Sequence, residues 1–141
     1  MNNKQLRKAL EISDIAHFAQ YDEFGNKYYY HQLVVALRCN TEDEKIVALV
    51  CNLYVDYFEF EENKLREEGF SEDVIKAIDT LIRRGDENYL DYIARVKNNK
   101  IAKIVKMNEL EDILDNMKED YEDISSFTRC KKAYDYLVSF K

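Results

Sequence analysis

The sequence predicts an all-α protein folded as one domain spanning 1–141, on three observations. Among 141 residues there is no proline and there are only three glycines, Gly25, Gly69 and Gly85. At the usual frequency of about 5% roughly seven prolines would be expected, and their absence favours uninterrupted helices. Apolar residues recur at helical spacing in one segment after another, separated by short polar breaks. A composition of 46% apolar and 35% charged residues suits a folded globule with a real core.

Each element follows in order. Leu6, Leu10, Ile12, Ile15, Ala16 and Ala19 form the stripe of a first helix over 4–20. The Gly25-Asn26 pair marks a turn, and a short helix runs over 31–38. Thr41, followed by Glu44 at the third position, reads as a capping box opening a helix from 42 onward. That helix contains IVALVCNLYV (46–55), apolar on every side except at Asn52, and is expected to be the core helix. A helix over 61–68 stops at Gly69, and Ser71-Glu72-Asp73 starts another that runs to Gly85. A helix over 87–97 turns Tyr89, Tyr92, Ile93 and Val96 inward, and Asn98-Asn99 ends it. Over 101–117 the stripe changes phase, from Ile101, Ile104 and Val105 to Leu110, Ile113, Leu114 and Met117. Such a helix is either central and contacted on both sides or bent near 107–109. A last helix covers 126–140. No repeat, linker or composition shift divides the chain.

A net charge of −7 and an isoelectric point near 4.9 argue against nucleic acid or an anionic membrane as partner. No apolar run reaches the roughly 18 residues of a membrane span. The three cysteines, Cys39, Cys51 and Cys130, lack CxxC spacing and read as reduced, buried thiols. A soluble cytoplasmic protein is the expectation. Arg95, Lys97, Lys100, Lys103 and Lys106 form a basic run that reads either as a solvated face or as a phosphate-steering surface.

Four segments, AHFAQYDEFGNKYYYHQ (16–32), ALVCNLYVDYFE (48–59), GFSEDVIKAIDTLIRR (69–84) and YIARVKNNKIAKIVKMNELEDILDNM (92–117), stand out together. Their order and spacing resemble the HD-domain metal-dependent phosphohydrolases, above all the branch related to the guanosine polyphosphate (ppGpp) hydrolases. The likeness runs over nearly the whole chain and implies an HD-domain-like helical bundle. In that family a His, a consecutive His-Asp pair and a distant Asp hold a divalent metal, which generates hydroxide from bound water.

Carried over position by position, the resemblance places His31 at the first metal-His position, with Gln32 in place of the following proline. Cys51 and Asn52 fall at the His-Asp pair, and Glu109 at the distant Asp. Asp56 keeps the second acid of a catalytic pair whose first member is Val55. A register slipped by three residues offers Asp112 with Asn116 instead; the ungapped register is preferred, because three extra residues rotate a helix by about 60°. His17 matches a family position that is not a ligand, and a packing role is expected for it.

Structural readings stand beside these. His31 could be a hydrogen-bonded core histidine. Cys51 in an apolar helix behaves as a small hydrophobe, and Asn52 as a core amide lacking the charge a hard cation needs. Glu109 suits a salt bridge as well as a metal, and Asp56 a charge at the helix exit. The expectation is a degenerate phosphohydrolase-like protein with no tightly bound cofactor, whose cleft serves a nucleotide phosphate or a protein partner. The alternatives are an active phosphohydrolase using Mn, Fe or Zn with altered ligands, and a helical protein-interaction module.

Overall fold

The computed structural model describes residues 4–17, 28–56, 59–117 and 124–140, with the side chains of residues 13–17, 28–30, 55–56, 117 and 124–125 outside the description. Among the described residues there are eight α-helices and no strand, so the all-α class holds. They are α1 (Lys4–His17), α2 (Tyr28–Arg38), α3 (Glu42–Asp56), α4 (Glu62–Glu67), α5 (Glu72–Leu81), α6 (Tyr89–Val96), α7 (Lys100–Met117) and α8 (Ile124–Val138). The expected end of the first helix over 18–20 and the Gly25-Asn26 turn lie outside the described residues. None of these helices is long and apolar enough to cross a membrane.

Helix α3 is the core helix its sequence announces. Residues 46–51 and Leu53 are buried, because α1, α2, α5 and α7 all pack on it. Its start is the expected capping box: the Glu44 N–H donates to Thr41 Oγ1 at 3.1 Å, and Glu44 Oε1 accepts from the N–H of Asn40 and of Thr41. Lys45 reaches the other way and donates to the Cys39 carbonyl (2.6 Å) and the Ala36 carbonyl (3.3 Å), closing the end of α2. On α1 the inward position falls to Ala9, whereas Leu10 is exposed.

The C-terminus of α4 closes as Gly69 predicts. The Gly69 N–H donates to the Arg66 carbonyl and the Phe70 N–H to the Leu65 carbonyl, with Phe70 and Leu65 buried together. Gly69 has φ +99°, and a Cβ there would meet nothing within 4 Å. Backbone strain is therefore the whole cost of a side chain. Gly69→Ala should lower stability by about 1–2 kcal/mol in urea unfolding.

Helix α5 ends at Leu81, short of the expected Gly85, because its last carbonyls accept from α6 rather than from their own helix. Arg95 donates to the Thr80 carbonyl (2.9 Å) and the Ile82 carbonyl (3.0 Å), and the Tyr92 hydroxyl donates to the Leu81 carbonyl at 2.7 Å. Arg95 also grips both carboxylate oxygens of Glu87, at 2.9 and 3.0 Å. That guanidinium, aided by the Arg84 N–H, holds the Glu87 carboxyl down at about 2, from an ordinary 4.5. A carboxylate with a depressed folded-state pKa contributes stability that is present above pH 4.5 and lost as pH falls toward 2. Glu87→Gln should accordingly flatten the acid limb of the stability curve in that window, read by denaturant titrations at stepped pH.

The phase change in α7 has the first of its two expected causes. The helix is continuous and central: α2, α3, α5, α6 and α8 all pack against it. Asn99 Oδ1 accepts the Ala102 N–H at 2.9 Å and caps its start.

Candidate functional site

The positions singled out by the family resemblance come from α2, α3 and α7, three helices that pack on one another pairwise. Lys106, Glu109 and Asp112 follow at single-turn spacing along α7, so each can reach a neighbouring helix. Two polar clusters result.

The first joins α2 to α7. His31 Nδ1 lies 2.6 Å from Asp112 Oδ2, with the two side chains only 13% and 10% exposed. Arg38, nearly two turns further along α2, faces Asp112 at 3.5 Å, Asp115 at 3.2 Å and Glu111 at 3.4 Å. The carboxylate that meets His31 is thus Asp112, from the slipped register, while Glu109 points elsewhere. Asn116, its companion in that register, donates to the Asp112 carbonyl of its own helix at 2.8 Å.

The second cluster joins α3, α6 and α7. Lys106 Nζ lies 3.2 Å from Glu109 Oε1, with side chains 12% and 13% exposed, and 5.4 Å from the centre of the Tyr92 ring. Burial opposes the Lys106 ammonium, yet the Glu109 carboxylate outweighs it and raises the pKa above the usual lysine value. Cys51 is buried beside this pair. Burial first, and the Glu109 charge second, push its thiol far above the ordinary range, so it is held protonated. Burial likewise pushes the Tyr92 hydroxyl up to about 12. Asn52 is half-buried, and its Oδ1 accepts a long, weak contact from Cys51 Sγ at 3.8 Å. Asp56 closes α3 and His17 closes α1; both side chains lie outside the described residues. Cys39, Cys51 and Cys130 are all buried and none is in a disulfide.

As they stand, these donors do not suit a divalent cation. The Asp112 contact leaves His31 only its Nε2, Glu109 is engaged by an ammonium, and Asn52 brings no charge. Cys51 would have to lose a proton that its surroundings retain. What the arrangement does chemically is pair its own charges: every acid in it faces a basic side chain of the same molecule.

Most of the basic run is also spoken for. Arg95 clamps Glu87, Lys97 lies 4.1 Å from the centre of the Phe140 ring, Lys103 donates to the Phe140 carbonyl and Lys106 holds Glu109. Lys106 is the residue that reading the sequence as a run missed. Its flanking Val105 and Met107, with an acid one turn later, mark an inward lysine with an internal partner. Arg38 carried no such signal, since its partners lie on a helix distant in sequence. A groove of about 350 Å³ between α7 and α8 is lined by Glu111, Leu114, Asp115, Phe127, Lys131 and Tyr134, and none of the sequence-predicted site residues lines it.

In comparisons with known proteins, no family model and no curated protein matches this chain.

Proposed function

We propose that the chain is a degenerate, non-hydrolytic relative of the HD-domain phosphohydrolases, retained as a binding protein for a nucleotide phosphate or a protein partner. The observation that carries this reading is Lys106: a buried ammonium stands 3.2 Å from Glu109, the residue at the family's distant metal-Asp position. A cation fixed to the chain there supplies the charge balance that a diffusible metal would otherwise give, and electrostatic repulsion keeps a divalent ion out. The Cys51-Asn52 pair fits the same picture. Neither side chain carries a charge, so neither leaves an uncompensated anion when no metal is present. Without a polarising ion, water bound there keeps its ordinary high pKa, and hydroxide is not formed near neutral pH.

The test is metal content after exhaustive dialysis, followed by melting with and without Mn²⁺ and with GDP as a nucleotide probe. The expected results are far less than one Mn, Fe or Zn per chain and an unchanged melting temperature with Mn²⁺. Close to one metal per chain, with metal-dependent phosphate release, would overturn the reading in favour of an active hydrolase. Stabilisation by GDP assigns the binding role to a nucleotide phosphate; a null response removes this nucleotide as the ligand.

A further inference from the structure

Four cations gather on two tyrosine rings where α6 meets α5, α7 and α8. The Tyr89 and Tyr92 ring centres are 5.9 Å apart. Arg129 lies 4.5 Å and Arg83 5.7 Å from the centre of Tyr89, while Lys106 and Arg95 lie 5.4 and 5.7 Å from that of Tyr92. The two on Tyr92 are neutralised, Arg95 by Glu87 and Lys106 by Glu109. The two on Tyr89 are exposed and have no carboxylate within ion-pair distance among the described residues; Asp86, in the same turn as Arg83, pairs with neither.

We propose that Arg83 and Arg129, both held against the Tyr89 ring, form a binding site for a small oxyanion carrying two or more negative charges. The two guanidinium carbons are no farther apart than their summed distances to one ring centre. That is about the screening length of 0.1 M salt, roughly 10 Å, so both can act on one multiply charged anion. A guanidinium presents a planar fork that matches the oxygens of a phosphate or carboxylate. Arg83 is already oriented, because its Nε donates to the Glu87 carbonyl at 3.0 Å and leaves the terminal N–H groups for a ligand. Glu87 is in turn fixed by Arg95, so the turn that presents Arg83 is braced from behind. Arg38, by contrast, is hemmed in by Glu111, Asp112 and Asp115, which would repel an anion. The site at Tyr89 does not depend on the family resemblance or on the fate of the metal.

Calorimetric titration of the full chain at low salt, with pyrophosphate and with malonate as probes, tests it. At least one probe should bind, and Arg83→Gln and Arg129→Gln should each weaken binding about tenfold or more, the loss of one charge-assisted hydrogen bond. Arg→Lys at either position should recover only part, since the charge returns without the fork. Arg7→Gln should change nothing: Arg7 is exposed on α1, which packs on α2 and α3 and contacts neither Tyr89 nor α8 among the described residues. Tighter binding of pyrophosphate identifies a phosphoryl ligand, and tighter binding of malonate a carboxylate one. If neither probe binds, or if Arg7→Gln weakens binding as much as the Arg83 and Arg129 variants do, the site does not exist. Melting curves of the variants, all at exposed positions, establish that each is folded before it is titrated.

Discussion

Lys106→Met is expected to destabilise the protein by about 3–5 kcal/mol, the usual cost of removing one partner from a buried ion pair. The remaining methylenes are matched in size, so the loss falls on Glu109, left as an anion against Cys51 and Tyr92 with little water to solvate it. Such a carboxylate relieves itself by binding a proton, and the variant should regain stability as pH is lowered toward the carboxylate range. Changing Glu109 as well, to leucine, should restore most of what Lys106→Met removed, because an apolar pair of similar volume often replaces a buried ion pair at little cost. Urea unfolding of the single and double variants, with unchanged m-values, gives the comparison. A single variant as stable as the wild type would mean that the ammonium is not what balances Glu109, and the case for a built-in cation would collapse.

Leu53→Ala should cost about 2–5 kcal/mol, in contrast to Leu37→Ala, which should shift stability by no more than about 0.5 kcal/mol. Both leucines lie on helices of the same cluster, but Leu53 is completely buried on α3 whereas Leu37 is 79% exposed on α2. Truncating Leu53 removes its transfer energy and also opens a cavity between helices that pack on α3 from several sides, leaving them little freedom to collapse inward. The same pair of denaturation curves separates burial from chemistry, since the residue deleted is identical.

The helices and their caps were legible because the information for them is local. Thr41 and Glu44 are three residues apart and satisfy each other's backbone, and Gly69 supplies a conformation that other residues resist. The phase change in α7 was likewise visible as a periodicity, but it left open a central helix or a bent one, and only the packing of neighbours on both sides decides for the first. The end of α5 was not visible, because the donors that claim its carbonyls, Arg95 and Tyr92, sit on the next helix. The partner of His31 was harder still. Glu109 and Asp112 differ by one turn of the same helix, and only the docking of α2 on α7 decides which of them arrives. Periodicity fixes the face of a helix; it does not fix the rotation and rise of one helix against another distant in sequence.

The corner between α2 and α3 carries a kinetic consequence. Lys45 and Glu44, neighbours in the first turn of α3, bind backbone groups of residues 36 and 39–41, so that turn closes α2 and opens α3 with partners at most nine positions away. Contacts of such short loop length are cheap to form, and chains rich in them reach the transition state quickly. The corner is therefore expected to be ordered in the folding nucleus, with the docking of α7 following. Lys45→Met should slow refolding while leaving the unfolding limb of the chevron nearly unmoved, whereas Lys106→Met should chiefly accelerate unfolding.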